Sequence, residues 1–224
     1  NPSSYEQIFE PGTAPDETVS AAETPSGIDL SAPLATEVLE QLAIKGRAPK
    51  TGYERTQFYS GWPTIEGCSL RQRIIRREIG ETAVLSDDQC TVVSGEFDEP
   101  YTGQHLIFYE RSDFTTRIQI DHVVALSDAW QKGAQNLTAD ERYSLATDPL
   151  NLLAVDSSAN QKKSDGDAAT WLPSNKAFRC QYVARQISVK YKYDLWVTQA
   201  EHDAIANILS TCPNERAVGV EIDQ

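Results

Sequence analysis

Methionine is absent from all 224 residues, and there are only three histidines and four cysteines. No apolar run approaches the roughly 18–20 residues that span a bilayer, which excludes a helical membrane crossing. None of the cysteines (Cys68, Cys90, Cys180, Cys212) sits in a C-x-x-C pair, which excludes a zinc ribbon or a thioredoxin-like motif. Bases are scarce: 20 Lys and Arg against 33 Asp and Glu give a net charge of −13. Phosphate binders are usually basic, so the total argues at first sight against a nucleic-acid partner. Its distribution weakens that reading. Residues 1–44 hold eight acids and no Lys or Arg, which leaves 25 acids and 20 bases, a net −5, in residues 45–224.

With 40% hydrophobic and 24% charged residues, the chain has the composition of a soluble globular protein with a real core. With Asn1 first and no Met, the expectation is that a signal peptide has been removed or the chain trimmed. The even cysteine count points to two disulfides and an oxidising, extracellular compartment. The preferred pairing is Cys68 with Cys90 and Cys180 with Cys212, each closing a modest loop worth about 3 kcal/mol in the chain-entropy account. Nested and crossed pairings stay open as alternatives.

Residues 1 to about 30 are rich in Pro, Thr, Ser and acids and lack hydrophobic periodicity, as in a disordered tether or pro-segment. The expected layout is an acidic arm over 1–44 with a short helix at its end, a domain over 45–212 and a tail over 213–224. Leu34, Val38 and Leu42 share the face of a helix from Ala32 to Lys45, which Gly46 would stop. A second helix, Ser69 to Ile79, carries Arg71, Arg73, Arg76 and Arg77. Strands are expected at Gln89–Ser94 and His105–Glu110, and the strongest strand signal is Thr116–Leu126. Thr138–Glu141 and Thr198–Glu201 have the capping-box form. Leu150–Val155 reads as a short strand, and Asp156, Ser157 and Ser158 would launch the helix carrying Asn160 and Lys163. Helices at Ser174–Tyr191 and Gln199–Thr211 close the fold.

The chemistry lies in Asp121-His122, Asn151, and Asn160 with Lys163. Asp121 offers an anionic oxygen and Asn160 an amide oxygen. Two hard donors from the protein, with water and phosphate completing the shell, suit Mg²⁺, and Mn²⁺ accepts the same set. His122, with an unperturbed pKa of about 6.5, can take a proton from water near neutrality. Neighbouring strand residues point to opposite sides, so Asp121 and His122 share a site only where the strand bends or the substrate lies at its end.

These residues, as Ile120-Asp121-His122-Val123-Val124, Asp148-Pro149-Leu150-Asn151-Leu152 and Asn160-Gln161-Lys162-Lys163, resemble the HNH (ββα-metal, or His-Me finger) endonucleases. The nearest likeness is the HNH domain at the C-terminus of GmrSD-type restriction enzymes and in secreted actinobacterial proteins. Flanking pieces such as Tyr53-Glu54-Arg55, Asp98-Glu99-Pro100-Tyr101-Thr102-Gly103 and Ala169-Thr170-Trp171-Leu172-Pro173 extend it over about residues 45–212. The resemblance implies an α+β fold with a ββα-metal core, extra helices and a small β element, stapled by disulfides. It also implies His122 as general base, Asp121 and Asn160 as metal ligands, and Asn151 holding the segment that orients His122. Lys163, Arg55 and Arg71 become candidates for substrate phosphate. Against these stand a buried ion pair for Arg55 and a solvated helix face for the Arg71–Arg77 cluster. One departure is Ala125, where such sequences often have Pro.

The implied function is a secreted bacterial deoxyribonuclease using Mg²⁺ or Mn²⁺ with little sequence specificity, leaving 5′-phosphate and 3′-hydroxyl ends. RNA is left open as a second substrate. No membrane and no small-molecule cofactor are expected. The rivals are a non-catalytic extracellular binding module and a toxin-like effector nuclease restrained by an inhibitor or immunity protein.

Overall fold

The computed structural model describes residues 30–220, so the expected tether at 1 to about 30 lies almost wholly outside the described residues. The fold is α+β. Along the chain run α1 (Ala35–Gln41), β1 (Thr64–Ile65), β2 (Cys68–Ser69), α2 (Leu70–Ile79), β3 (Val84–Leu85), β4 (Val92–Asp98), β5 (His105–Phe108), α3 (Arg111–Arg117), β6 (Ile118–His122), α4 (Leu126–Gln131), α5 (Ala139–Thr147), β7 (Leu152–Asp156), α6 (Ser157–Lys163), α7 (Arg179–Lys192) and α8 (Gln199–Leu209). The strands form three small antiparallel sheets, β1–β2, β3–β4–β5 and β6–β7. Disulfides join Cys68 to Cys90 and Cys180 to Cys212.

The β6–β7 pair sits at the centre, in register from Ile118 opposite Asp156 to His122 opposite Leu152. Strand β7, Leu-Leu-Ala-Val-Asp, reads as a nearly continuous apolar run because both of its faces are covered, whereas β6 alternates Ile118 and Ile120 with Gln119 and Asp121. Ile118, Ile120, Leu152 and Ala154 pack with α2 and the three-stranded sheet, whereas Leu153 and Val155 pack with α1, α7 and α8. Gln119 and Asp121, on the alternate face of β6, therefore turn toward α6. Helix α6 starts directly at the end of β7, where Asp156 Oδ1 accepts the Ala159 N–H at 2.8 Å as an N-cap.

Several elements differ from expectation for identifiable reasons. The strand expected at Thr116–Leu126 is cut at both ends. Thr116 and Arg117 finish α3, a helix the sequence reading did not anticipate, whose first turn is held by Asp113 Oδ2 accepting the Tyr109 and Glu110 N–H groups. Val123 and Val124 leave the ladder because side chains, not a partner strand, satisfy most of their backbone. The Thr138–Glu141 capping box is complete. At α8 the Thr198 hydroxyl accepts the Glu201 N–H, but the Glu201 carboxylate is drawn instead to Lys132 and Lys190 at 2.6 Å each.

Contacts among the described residues cross the expected domain limits, and the short helix expected at the end of the acidic arm is part of the packed body. Residues 32–44, assigned to the acidic arm, carry α1, whose Ala35, Val38 and Leu39 are buried against α7 and α8. The tail assigned to 213–224 returns to α1: Ala35 N–H donates to Glu215 O at 2.8 Å and Ala217 N–H to Pro33 O at 2.9 Å. The described body thus begins before residue 45 and continues past residue 212.

Three buried acids and two buried lysines form a cluster that the exposed Arg47 covers. Lys132 Nζ stands 2.8 Å from Asp128, 2.8 Å from Asp167 and 2.6 Å from Glu201. Lys190 adds a second contact to Glu201, and Arg47 caps Asp128 and Asp167 at 2.8 and 2.9 Å. Burial alone would lower the Lys132 pKa, but Asp128 and Glu201 outweigh it and raise it, so the ammonium stays charged.

Candidate active site

An open cleft of about 400 Å³ lies where β6 meets α6, lined by Tyr53, Arg55, Gln119, Asp121, His122 and Asn160 among others. Four of the residues singled out from the sequence (Arg55, Asp121, His122 and Asn160) thus share one opening.

Asp121 is buried, and its carboxylate is already engaged. Lys163 Nζ lies 3.0 Å from Oδ1 and 2.8 Å from Oδ2, and the Tyr101 hydroxyl donates to Oδ2. Burial pushes the Asp121 carboxyl above its ordinary range, while the Lys163 charge and the two hydrogen-bond donors pull it back. Tyr101 is itself placed by Glu99, a buried carboxylate that accepts the Tyr101 N–H at 2.9 Å and the Asp156 N–H at 3.0 Å. One acid thereby joins the loop carrying Tyr101 to the start of α6.

His122 is 5% exposed. Its Nε2 lies 2.8 Å from the Ala146 carbonyl oxygen, which can only accept, so Nε2 carries the hydrogen and Nδ1 holds the lone pair. Burial brings the imidazole down to about 3, with Arg55 and Lys163 adding to the shift and the Ala146 hydrogen bond opposing it. The shift favours the neutral ring and opposes proton uptake; the group that could accept a proton is the Nδ1 lone pair, which the Ala146 contact leaves unused.

The segment after His122 is held almost wholly by side chains. Lys163 Nζ donates to His122 O at 2.8 Å, and Gln186 Nε2 donates to Val123 O at 3.1 Å. Asn151 Oδ1 accepts the Val124 N–H at 2.8 Å, and its Nδ2 donates to Val124 O and Leu145 O at 3.3 Å each. Asn151 O also accepts the Val123 N–H at 2.9 Å. Asn151 therefore ties the turn after His122 to the residue before Ala146, whose carbonyl fixes the imidazole.

The remaining candidates are placed differently. Lys163, expected at substrate phosphate, has a side chain with no exposure, its ammonium spent on Asp121 and His122 O. Arg71, expected there too, donates to Ile118 O and is absent from the cleft lining. Both placements argue against direct phosphate contact. Arg55 donates to the Tyr59 hydroxyl at 2.5 Å, lies over the Tyr59 ring, and has no carboxylate partner among the described residues. Tyr101, Glu99 and Gln186 were missed as supports. In sequence, Asp98, Pro100 and Gly103 read as a turn between two strands and their segment as part of the resemblance, with no mark on Tyr101 or Glu99, and Gln186 gives no signal beyond being a polar residue on an apolar helix face.

Among the described residues, no cluster of three or more His, Cys, Asp or Glu is placed to hold a metal ion. Asp121 and Asn160 both bring oxygen donors to the cleft, as does Asp165, whose carboxylate is paired with Lys50 at 3.2 Å. Asn160 Nδ2 donates to Gln119 Oε1 at 2.9 Å, which leaves its amide oxygen free for another partner. One carboxylate and one amide oxygen fit a hard cation that keeps most of its water.

A neutral imidazole, a carboxylate, an amide oxygen and an unpaired guanidinium around one cleft are groups suited to hydrolysis of a phosphate ester. Residues 71–208 match the family described as GmrSD restriction endonucleases, C-terminal domain, and the chain belongs to that family. It is also 38% identical, over 192 residues, to an uncharacterized secreted protein of Arthroderma benhamiae, covering 84% of this chain and 89% of that one. No solved structure matches it.

Proposed function

We propose that this chain is a secreted, divalent-metal-dependent endonuclease that hydrolyses DNA phosphodiester bonds with little sequence specificity. Its ββα-metal core would be β6, β7 and α6. Family membership supports the nuclease class, and the observation that carries the residue-level reading is the imidazole of His122, neutral and fixed by Ala146 O with Nδ1 free as an acceptor. Export is supported by the two disulfides and by the name of the Arthroderma benhamiae relative. No helix among the described residues is long and apolar enough to cross a membrane.

In this reading His122 Nδ1 takes the proton of the attacking water, and Ala146 O stabilises the imidazolium that results. Asp121 and Asn160 would hold Mg²⁺ or Mn²⁺, which when bound would neutralise charge on the phosphate and the leaving oxygen. Arg55, the cation of the cleft without an acid partner, binds a phosphate oxygen. Asn151 and Gln186 position the turn after His122. Lys163 balances the buried Asp121 charge and does not contact substrate.

The carboxylate's engagement with Lys163 and Tyr101 is the one observation that favours the rival, a non-catalytic module on the same frame. Supercoiled plasmid separates the two. The nuclease reading expects conversion to nicked and linear forms with Mg²⁺ or Mn²⁺, arrest by EDTA and recovery on adding excess cation. No conversion with either cation supports the binding module.

A further inference from the structure

We infer that Trp62 and Tyr59, contributed by a segment that precedes the family-matched region, are positioning residues that lock the His122 ring in its base-competent orientation. This rests on the role proposed above for His122. The indole of Trp62 lies nearly parallel to the imidazole, 20° between planes with centroids 5.8 Å apart. The Tyr59 ring meets it edge-on at 5.5 Å, and Tyr59 and Trp62 pack on each other at 5.1 Å. The match to the family begins at residue 71, so these walls come from a turn upstream of it.

The physical need follows from the torsion. Rotation about the Cβ–Cγ bond of histidine is broad and roughly two-fold, so its own preference does not choose which nitrogen faces which way. A half-turn would set Cε1 where Nε2 now meets Ala146 O and Cδ2 where Nδ1 now lies, losing both the hydrogen bond that fixes the tautomer and the placed acceptor. One hydrogen bond to Ala146 O opposes that turn, and two aromatic rings in contact with the imidazole bar the swing it requires. The same Tyr59 accepts the Arg55 hydrogen bond, so one short segment sets both the base and the unpaired cation of the cleft.

Nitrogen-15 NMR of the imidazoles, with only three histidines in the chain, reads the tautomer directly. The folded wild type should show His122 as a single neutral tautomer with the hydrogen on Nε2. Trp62→Leu should average the two nitrogens and, on plasmid, lower kcat at least about tenfold with KM within about twofold, as expected for a misplaced reacting group. Trp62→Phe, which restores a flat ring, should recover both. Should Trp62→Leu not fold, Tyr59→Leu takes its place in the same measurement. An averaged wild-type imidazole, or a folded wall-deleted variant that keeps the single tautomer, would overturn the inference. If the wild type cuts no DNA, the proposed function fails, while the imidazole spectra still decide the positioning role.

Discussion

At the scale of single residues, Lys163 shows how burial can change a role inferred from sequence. The resemblance implies a cation near phosphate at Lys163, and helical spacing puts it almost on one face with Asn160. Spacing does not say how deep that face lies. The side chain has no exposure, and its charge offsets that of Asp121. Removing one member of a buried pair leaves the other uncompensated, so Lys163→Met should cost about 3–5 kcal/mol, read from the denaturation midpoint. Because the lysine also occupies the carboxylate, Mg²⁺ or Mn²⁺ should raise the melting temperature of Lys163→Met more than that of the wild type. An equal shift would mean that the cation does not bind at Asp121. Asp121, His122, Asn160 and Arg55 were legible as a set because each is a polar group in a motif of fixed order. Tyr101 and Gln186 were not, since a tyrosine or glutamine that bonds at long range looks like any other core-flanking residue.

At the scale of elements, the strand pair and its following helix could be read from sequence: β-branched residues through β6, an apolar run at β7, then Asp156 and two serines as a start signal. The ends of β6 could not. β-branched content extends through Val124, yet the strand stops at His122 because Asn151 and Gln186 supply hydrogen bonds from outside the sheet. Asn151→Ala should strand the buried Val124 N–H and C=O groups, at about 1–3 kcal/mol for each polar group left unpaired. The denaturation midpoint should fall accordingly, and activity at a permissive temperature should fall with it as the turn after His122 loosens. A variant with the wild-type midpoint would remove Asn151 from that role. The buried cluster around Lys132 was equally hidden, since its members come from five separate segments of chain. Glu201 in particular was read as a capping residue and serves instead as a counter-ion.

At the scale of the whole molecule, net charge says little about the surface around the cleft, because eight of the acids lie in the first 44 residues and others are paired inside. Some of those pairs set the response to acid. Burial alone would raise the Asp148 and Asp167 carboxyls, but hydrogen bonds from Lys192 and Tyr193 to the first, and from Lys132 to the second, outweigh it and lower them. Their folded pKa values lie below the unfolded one of about 3.9, so the unfolded chain binds more protons in that range. Their contribution is therefore full above the unfolded value and is lost as pH falls through the folded values. Asp121, shifted upward, works in the opposite sense. Denaturation midpoints measured from pH 6 to pH 2 should fall steeply at the acid end, and Asp167→Asn should flatten that slope. The disulfide pairing expected from loop length is the one observed, and loss of either bridge should cost about 3 kcal/mol.

The central claim is that His122 is the base of a nuclease. It is tested most directly by plasmid nicking in excess Mg²⁺ with wild type and His122→Ala side by side, both shown folded by circular dichroism. The wild type should convert supercoiled plasmid, and His122→Ala should be slower by about 10²–10⁴-fold, the usual contribution of a positioned general base. Nicking by His122→Ala at the wild-type rate would contradict the claim.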